Sequence, residues 1–240
     1  MSEQSNQSES KLNPVSTISG IYFEPEKTFL NIRQYPTWVL PLLISLIVTA
    51  FMAFSTHDIQ MAFQKDLLMQ SEKIPEAVKD QQLEAFENPG FMQGPVFAAI
   101  IGAVMDIIFF VLTTLGIFVM GNFILGGSST FKDLFCMVSW AGLIGVLEMI
   151  VKAIIMLAKG SIHAYTSLAL FMDPNQFKEF SFQLLNVFDI FTIWKLVVFT
   201  IGFMVFYKFP RNKAILGMVI LFVVFTAIKL GWLTLTMSFL

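Results

Sequence analysis

The chain is 240 residues long, 56% hydrophobic and 13% charged, with 27 phenylalanines, 14 methionines and a formal net charge of −2. Soluble domains carry about a quarter charged residues; with a mean hydropathy of +0.73, this chain cannot cover a globular surface but can face lipid. The slight negative charge and the lack of a basic stripe exclude a nucleic-acid binder.

The opening, MSEQSNQSESKLNPVS, is polar, lacks a basic n-region and leads to no short apolar core with a cleavage site. It reads as a disordered tail over residues 1–16, not as a signal peptide. In PEKTFLNIRQYPTW, Pro25 suits a first helical turn, Phe29 and Ile32 share one side, and Lys27 and Arg33 are available to headgroups. That predicts a short interfacial helix ending at Pro36.

Five apolar segments then have the roughly twenty residues a helix needs to cross hydrocarbon. They fall at about 38–55, 96–125, 134–157, 184–207 and 214–237. Lipid-exposed backbone must satisfy its own hydrogen bonds, and the ten-residue alternation of a barrel is missing. The fold class is therefore all-α: a polytopic membrane protein with five transmembrane helices, its membrane domain covering 17–240.

Between the first two spans, the loop 57–95 holds two helical patterns, DIQMAFQKDLLMQ and PEAVKDQQLEAF, the second stopping at Asn88, Pro89 and Gly90. Its seven acids against three lysines make a negative cap. Within GNFILGGSS, Gly121 and Gly126 have the first spacing of a phosphate-binding loop, but Gly127 stands where its lysine belongs, so a turn between spans is expected. The segment IHAYTSLALF is too short to span, is bounded by Asp173 and Pro174, and predicts an interfacial or re-entrant helix. Trp140 and Trp232 lie far enough inside their spans to favour packing, whereas Trp38 and Tyr207 suit the membrane boundary.

Lys and Arg near span ends set orientation. With the amino terminus inside, Lys11, Lys27, Arg33, Lys132, Lys208, Arg211 and Lys213 lie inside and Lys65, Lys73, Lys79, Lys159 and Lys178 outside. The expectation is a cytoplasmic amino terminus and a carboxyl terminus on the opposite side.

Six ionisable residues fall within the expected spans: Asp106, Glu148, Lys152, Asp189, Lys195 and Lys229. Asp106, Glu148, Lys195 and Lys229 lie roughly 12 to 17 Å from the outer span ends, Lys152 and Asp189 nearer about 8 Å. An exposed Asp, Lys or Arg at a helix centre costs about 2.5 to 3.5 kcal/mol, so pairing inside the bundle is favoured. Glu148 and Lys152 are four apart with the acid first. Lys195 is expected to meet Asp106 or Glu148, with Lys229 taking the other, while Asp189 is expected nearer the outer mouth. Small and polar stripes point the same way: Ala141, Gly145, Glu148 and Lys152 on the third span; Gly102, Asp106, Thr113 and Gly116 on the second; Thr192, Lys195 and Gly202 on the fourth; Thr226, Lys229 and Thr236 on the fifth. Two readings stay open: ion pairs that fix the bundle's register, or a polar cavity for a proton, ion, small solute or lipid headgroup.

No catalytic triad pattern is evident, so an enzyme is not expected. Cys136 stands alone, and His57 and His163 lack a ligand spacing. Neither a metal nor a cofactor is expected.

Three stretches carry a family resemblance: PEKTFLNIRQYPTWVLPLL leading into the first span, FILGGSSTFKDLFCMVSWAG with its Gly-Gly turn and Phe-Lys pair, and FDIFTIWKLVVFTIGF followed by YKFPRNKAILGMVI. In order and spacing they resemble the Yip family, the Ypt/Rab-interacting membrane proteins, over most of the chain from about Val15 onward, and most closely its prokaryotic branch. The resemblance implies a membrane-organising or adaptor protein working through helix contacts in the lipid bilayer, with itself as a homo-oligomer or with other membrane proteins. It implies the cell (inner) membrane, or an endomembrane if the source is eukaryotic. Eukaryotic members engage prenylated Rab GTPases in vesicle traffic; the long cytosolic tail associated with that role is missing here, so a Rab-type GTPase partner is not supported. The competing function is a transporter or channel built on the charged residues.

Overall fold

A computed structural model describes residues 10–71 and 73–237. Among these residues the regular structure is helical, with no strand and one isolated bridge between Ser167 and Asp189.

Helix α1 (Pro14–Phe23) starts where Asn13 accepts a hydrogen bond from the Ser16 N–H and proline occupies the first turn. It begins inside the segment expected to be a disordered tail; residues 1–9 of that segment lie outside the described residues. Glu24 separates it from α2 (Pro25–Gln34), again opened by proline. The Asn31 side chain binds the preceding chain from both sides, accepting from the Leu12 N–H (3.1 Å) and donating to the Ser10 carbonyl (3.2 Å). Helix α2 is not simply interfacial. Its apolar face, with Phe29 and Ile32, is buried, and the Arg33 guanidinium donates to the Val205 carbonyl at 2.9 Å, not to headgroups. A helix end leaves carbonyls unmet, and this arginine meets one.

Helix α3 (Val39–Ser55) bends by 56° at Thr56 into α4 (His57–Gln70). The two become one span-length apolar element only when taken together. Helix α5 (Glu76–Glu87) follows, and α6 (Pro95–Phe118) runs on through a π turn, Val119–Ile124, into the left-handed Gly126 (φ 63°). Helix α7 (Phe131–Ala141) is capped by Thr130, which accepts from the Asp133 N–H; Gly142 joins it to α8 (Leu143–Lys159).

The segment expected as a helix over 162–171 is irregular through Thr166, forms a bridge at Ser167 and ends in a 3₁₀ turn at Leu168–Phe171. Its backbone pairs with the start of the next span: Leu168 N–H donates to the Phe188 carbonyl. That pairing accompanies a break in the expected fourth span. Helix α9 (Phe180–Val187) stops, and α10 (Ile190–Tyr207) starts afresh with Asp189 accepting from the Phe191 N–H. Lys208 (φ 55°) turns the chain into α11 (Arg211–Met237).

Among the described residues four elements are long and apolar enough to cross a membrane, Pro95–Ile124, Phe131–Lys159, Ile190–Tyr207 and Arg211–Thr236, and the bent α3–α4 pair makes a fifth if it is counted as one span. The chain is an all-α polytopic membrane protein. Its core centres on α7, where Leu134 and every residue from Cys136 to Ala141 are buried against α2, α6 and α10. In contrast, only 6% of the most apolar stretch of Pro95–Ile124 is buried, so most of α6 faces outward. Trp140 is packed, with its Nε1 donating to the Thr37 carbonyl, but Trp232, expected to pack, is 68% exposed.

Candidate functional site: a charge cluster where two spans begin and end

Helix α8 carries Glu148 and Lys152 one turn apart and packs on α3 and α10. The spacing lets the pair form within the helix: Lys152 Nζ lies 2.5 Å from Glu148 Oε1. Lys195, on α10, reaches the other oxygen, Oε2, at 2.7 Å, its stem running past Gly145. Lys152 also bridges to Asp189 Oδ2 at 2.9 Å. Four charges thus form one balanced network, two acids and two bases, spanning α8, α10 and the junction before α10.

Asp189 was expected to stand apart at the mouth. It sits at the start of α10 but belongs to the network, because the break in the span turns its side chain into a helix cap. Oδ1 accepts from the Phe191 N–H (2.8 Å), and Oδ2 accepts from the Thr166 hydroxyl (2.6 Å) as well as from Lys152. Its side chain is 3% exposed. The same break shifts the depth of the site: five residues inside α10, Lys195 lies about 8 Å from its start, shallower than a span from 184 implies.

Two of the six residues make no ion pair within 4 Å among the described residues. Asp106 meets no lysine; on α6 it accepts from Ser45 (2.6 Å) and Thr49 (3.4 Å), both on α3. The physical reason is local. Ser45 and Thr49 are four apart and form a polar stripe facing α6, where Gly102 lies against Thr49 and Ala53. Lys229, on α11, is exposed and forms no ion pair with Asp106.

The partners missed in the sequence are Ser45, Thr49 and Thr166. For the first two a signal existed, two hydroxyls four apart in an otherwise oily span. Thr166 had none, since its position depends on an irregular segment that looked helical.

His57 Nε2 lies 2.8 Å from the Gln93 carbonyl, and His163 Nδ1 lies 2.8 Å from the Tyr165 hydroxyl, whose phenol is pushed up by burial. No group of three metal-binding side chains occurs among the described residues. A hollow of about 450 Å³ opens between α4, α5 and the start of α6, lined by His57, Gln60, Gln64, Gln82 and Gln93 among others. It does not include the charge network.

The network ties α8 to α10 and to the junction before it. Pairing offsets the cost of placing each charge in the membrane, but the Coulomb gain of a buried pair is often cancelled by desolvation.

A family model described as the Yip1 domain matches residues 19–233. No curated protein and no solved structure matches the chain.

Proposed function

From the premise that this chain belongs to the Yip1-domain family and is an integral, multi-pass membrane protein, we propose that it is a non-enzymatic membrane-organising or adaptor protein acting through helix contacts. The observation that carries this reading is that each carboxylate of the network is met by ammonium groups at 2.5–2.9 Å. A transport path needs groups free to exchange partners with a solute. Here Glu148 and Asp189 have every oxygen engaged.

Broad outward-facing apolar surface on α6 and α11 supports lateral contact with lipid, other copies or other membrane proteins. The amino terminus is proposed to be cytoplasmic in the cell membrane. In support, α2, the start of α7 and the turn at Lys208, with their basic residues, gather at one end of the bundle. A Rab-type GTPase partner is not part of this proposal.

The purified protein in liposomes is the direct test. It is expected to give no ion, proton or solute flux above protein-free vesicles, while in-membrane cross-linking through α6 or α11 captures a defined neighbour. Flux abolished by Glu148→Gln would replace this reading with a transporter. Reporter fusions at each terminus check the orientation, which a cytoplasmic carboxyl terminus would overturn.

A further inference from the structure

Helices α1 and α2 form a closed hairpin. At its base the Asn31 side chain holds Ser10 and Leu12, and nearer its tip the Thr28 side chain fills the place a Cβ at Gly20 would take. Contacts at both ends fix where the hairpin lies along α10. Arg33 donates to the Val205 carbonyl at 2.9 Å, and Phe29 sits edge-on to Phe206 with ring centres 6.2 Å apart. Tyr22, just before the elbow at Glu24, sits edge-on to Trp194 at 5.7 Å and donates to the Leu143 carbonyl at 2.8 Å. From Trp194 to Val205 is about 16 Å at the helical rise, in a span of about 27 Å. The hairpin therefore runs beside more than half of α10 and carries its tip to the depth of hydrocarbon.

The face it exposes at that depth is charged. Glu24 and Lys27 lie 3.6 Å apart, yet both side chains are 63% exposed. Glu26 is exposed too and makes no ion pair among the described residues. A hollow of about 520 Å³ lies against these three, bounded also by Pro25, Leu30 and Ile201; Ile201 is about 9 Å inside the end of α10. Pairing within the hairpin leaves the charges uncovered by protein, and hydrocarbon excludes exposed charge unless headgroups and water move in by local thinning. Phe23 and Leu30 are exposed among the charges. What covers this face must offer a charged, hydrated part and an apolar one, and both signs of charge must be met.

We propose that α1–α2 is a re-entrant hairpin whose exposed face docks phospholipid headgroups, drawing the headgroup boundary of its leaflet inward as far as the tip. Glu24, Glu26 and Lys27 meet the charged groups of the headgroup, and Phe23 and Leu30 meet the displaced acyl chains.

The test uses the full chain with Cys136→Ala, labelled with bimane at Glu24→Cys, Lys27→Cys or Leu112→Cys, in phosphatidylcholine vesicles carrying a nitroxide on either the headgroup or the middle of the acyl chain. Leu112 is the reference for depth. It is exposed on α6, two residues from Phe110, whose ring fills the place of a side chain at Gly142, next to Leu143. Labels at Glu24 and Lys27 are expected to be quenched more by the headgroup nitroxide, and the label at Leu112 more by the mid-chain one. Bimane is also quenched by a nearby indole, so Trp194→Phe should brighten the Glu24 label and show that the tip is seated on α10. Leucine at both Glu26 and Lys27 should shift quenching of the Glu24 label toward the mid-chain nitroxide. Stronger mid-chain quenching at Glu24 and Lys27, or stronger headgroup quenching at Leu112, would overturn the proposal, the second by placing the hairpin at the ordinary membrane surface. No brightening in Trp194→Phe would overturn it by detaching the tip from α10, and no shift with Glu26→Leu and Lys27→Leu by removing the charges as the cause.

Discussion

The two ends of the helix bundle solve one problem with different chemistry. At the end that holds α2, Arg33 meets a carbonyl left at the end of α10, that of Val205, and Trp140 donates to the Thr37 carbonyl in the link between α2 and α3 (2.6 Å). Around them the packing is aromatic, with Phe29 set edge-on to Phe206 and Tyr207 stacked on Phe209. At the end that holds the α9–α10 break, the closure is ionic, with Glu148, Lys152, Asp189 and Lys195 in one chain of contacts. The apolar end is built from many small contributions. The ionic end concentrates its consequences on a few atoms.

Single substitutions should break that contrast to different degrees. The largest expected effect is Glu148→Leu, which leaves two lysines facing each other without their shared acid. Loss of one partner of a buried ion pair costs about 3–5 kcal/mol, and thermal unfolding in detergent should show it; a loss below that of the next variant would mean that the network is held by its surroundings. Gly121→Ala comes second. A methyl group there collides with the ring of Tyr207, and overpacking of this kind costs about 1–3 kcal/mol. Gly231, with open space around it, supplies the control, since alanine there should do no harm.

Arg33→Met removes a charged donor from the Val205 carbonyl, with an expected loss of about 1.5 kcal/mol. It should leave the network untouched, so that its effect adds to that of Glu148→Leu; departure from additivity would show that the two ends are coupled. The smallest effect is expected for Asp106→Asn, under about 1 kcal/mol, because the amide oxygen still accepts from Ser45. If it proves as damaging as Glu148→Leu, Asp106 has a charged partner that its hydroxyl neighbours conceal.

The sequence revealed the apolar segments readily, because twenty oily residues in succession have few other fates. It revealed less where the backbone is interrupted. Gly142 ends α7 within a hydrophobic run, and Asp189 caps α10 within another, so each run looked continuous. The Glu148–Lys152 pair was legible because helical periodicity alone brings it together. The partners of Asp106 and Asp189, and the lack of an ion pair at Lys229 among the described residues, depend on which helices neighbour one another, and nothing local encodes that. For the same reason α2 looked like a membrane-surface helix: its amphipathic face is equally suited to lipid and to the aromatic end of α10.

The break at Asp189 also makes the protein uneven in thickness. Helix α10 has 18 residues and spans about 27 Å, slightly less than the roughly 30 Å hydrocarbon layer. Helix α11 beside it has 27 residues, about 40 Å at the same rise. Lipids that touch Ile190 and Ile193 meet a short wall, and those along the upper part of α11 a tall one. The bilayer can match both only by thinning on one flank or by tilting the longer helix, at fractions of a kcal/mol per Å of mismatch. Where the longer helix does not tilt, the difference falls to the lipids as a step in thickness beside the start of α10.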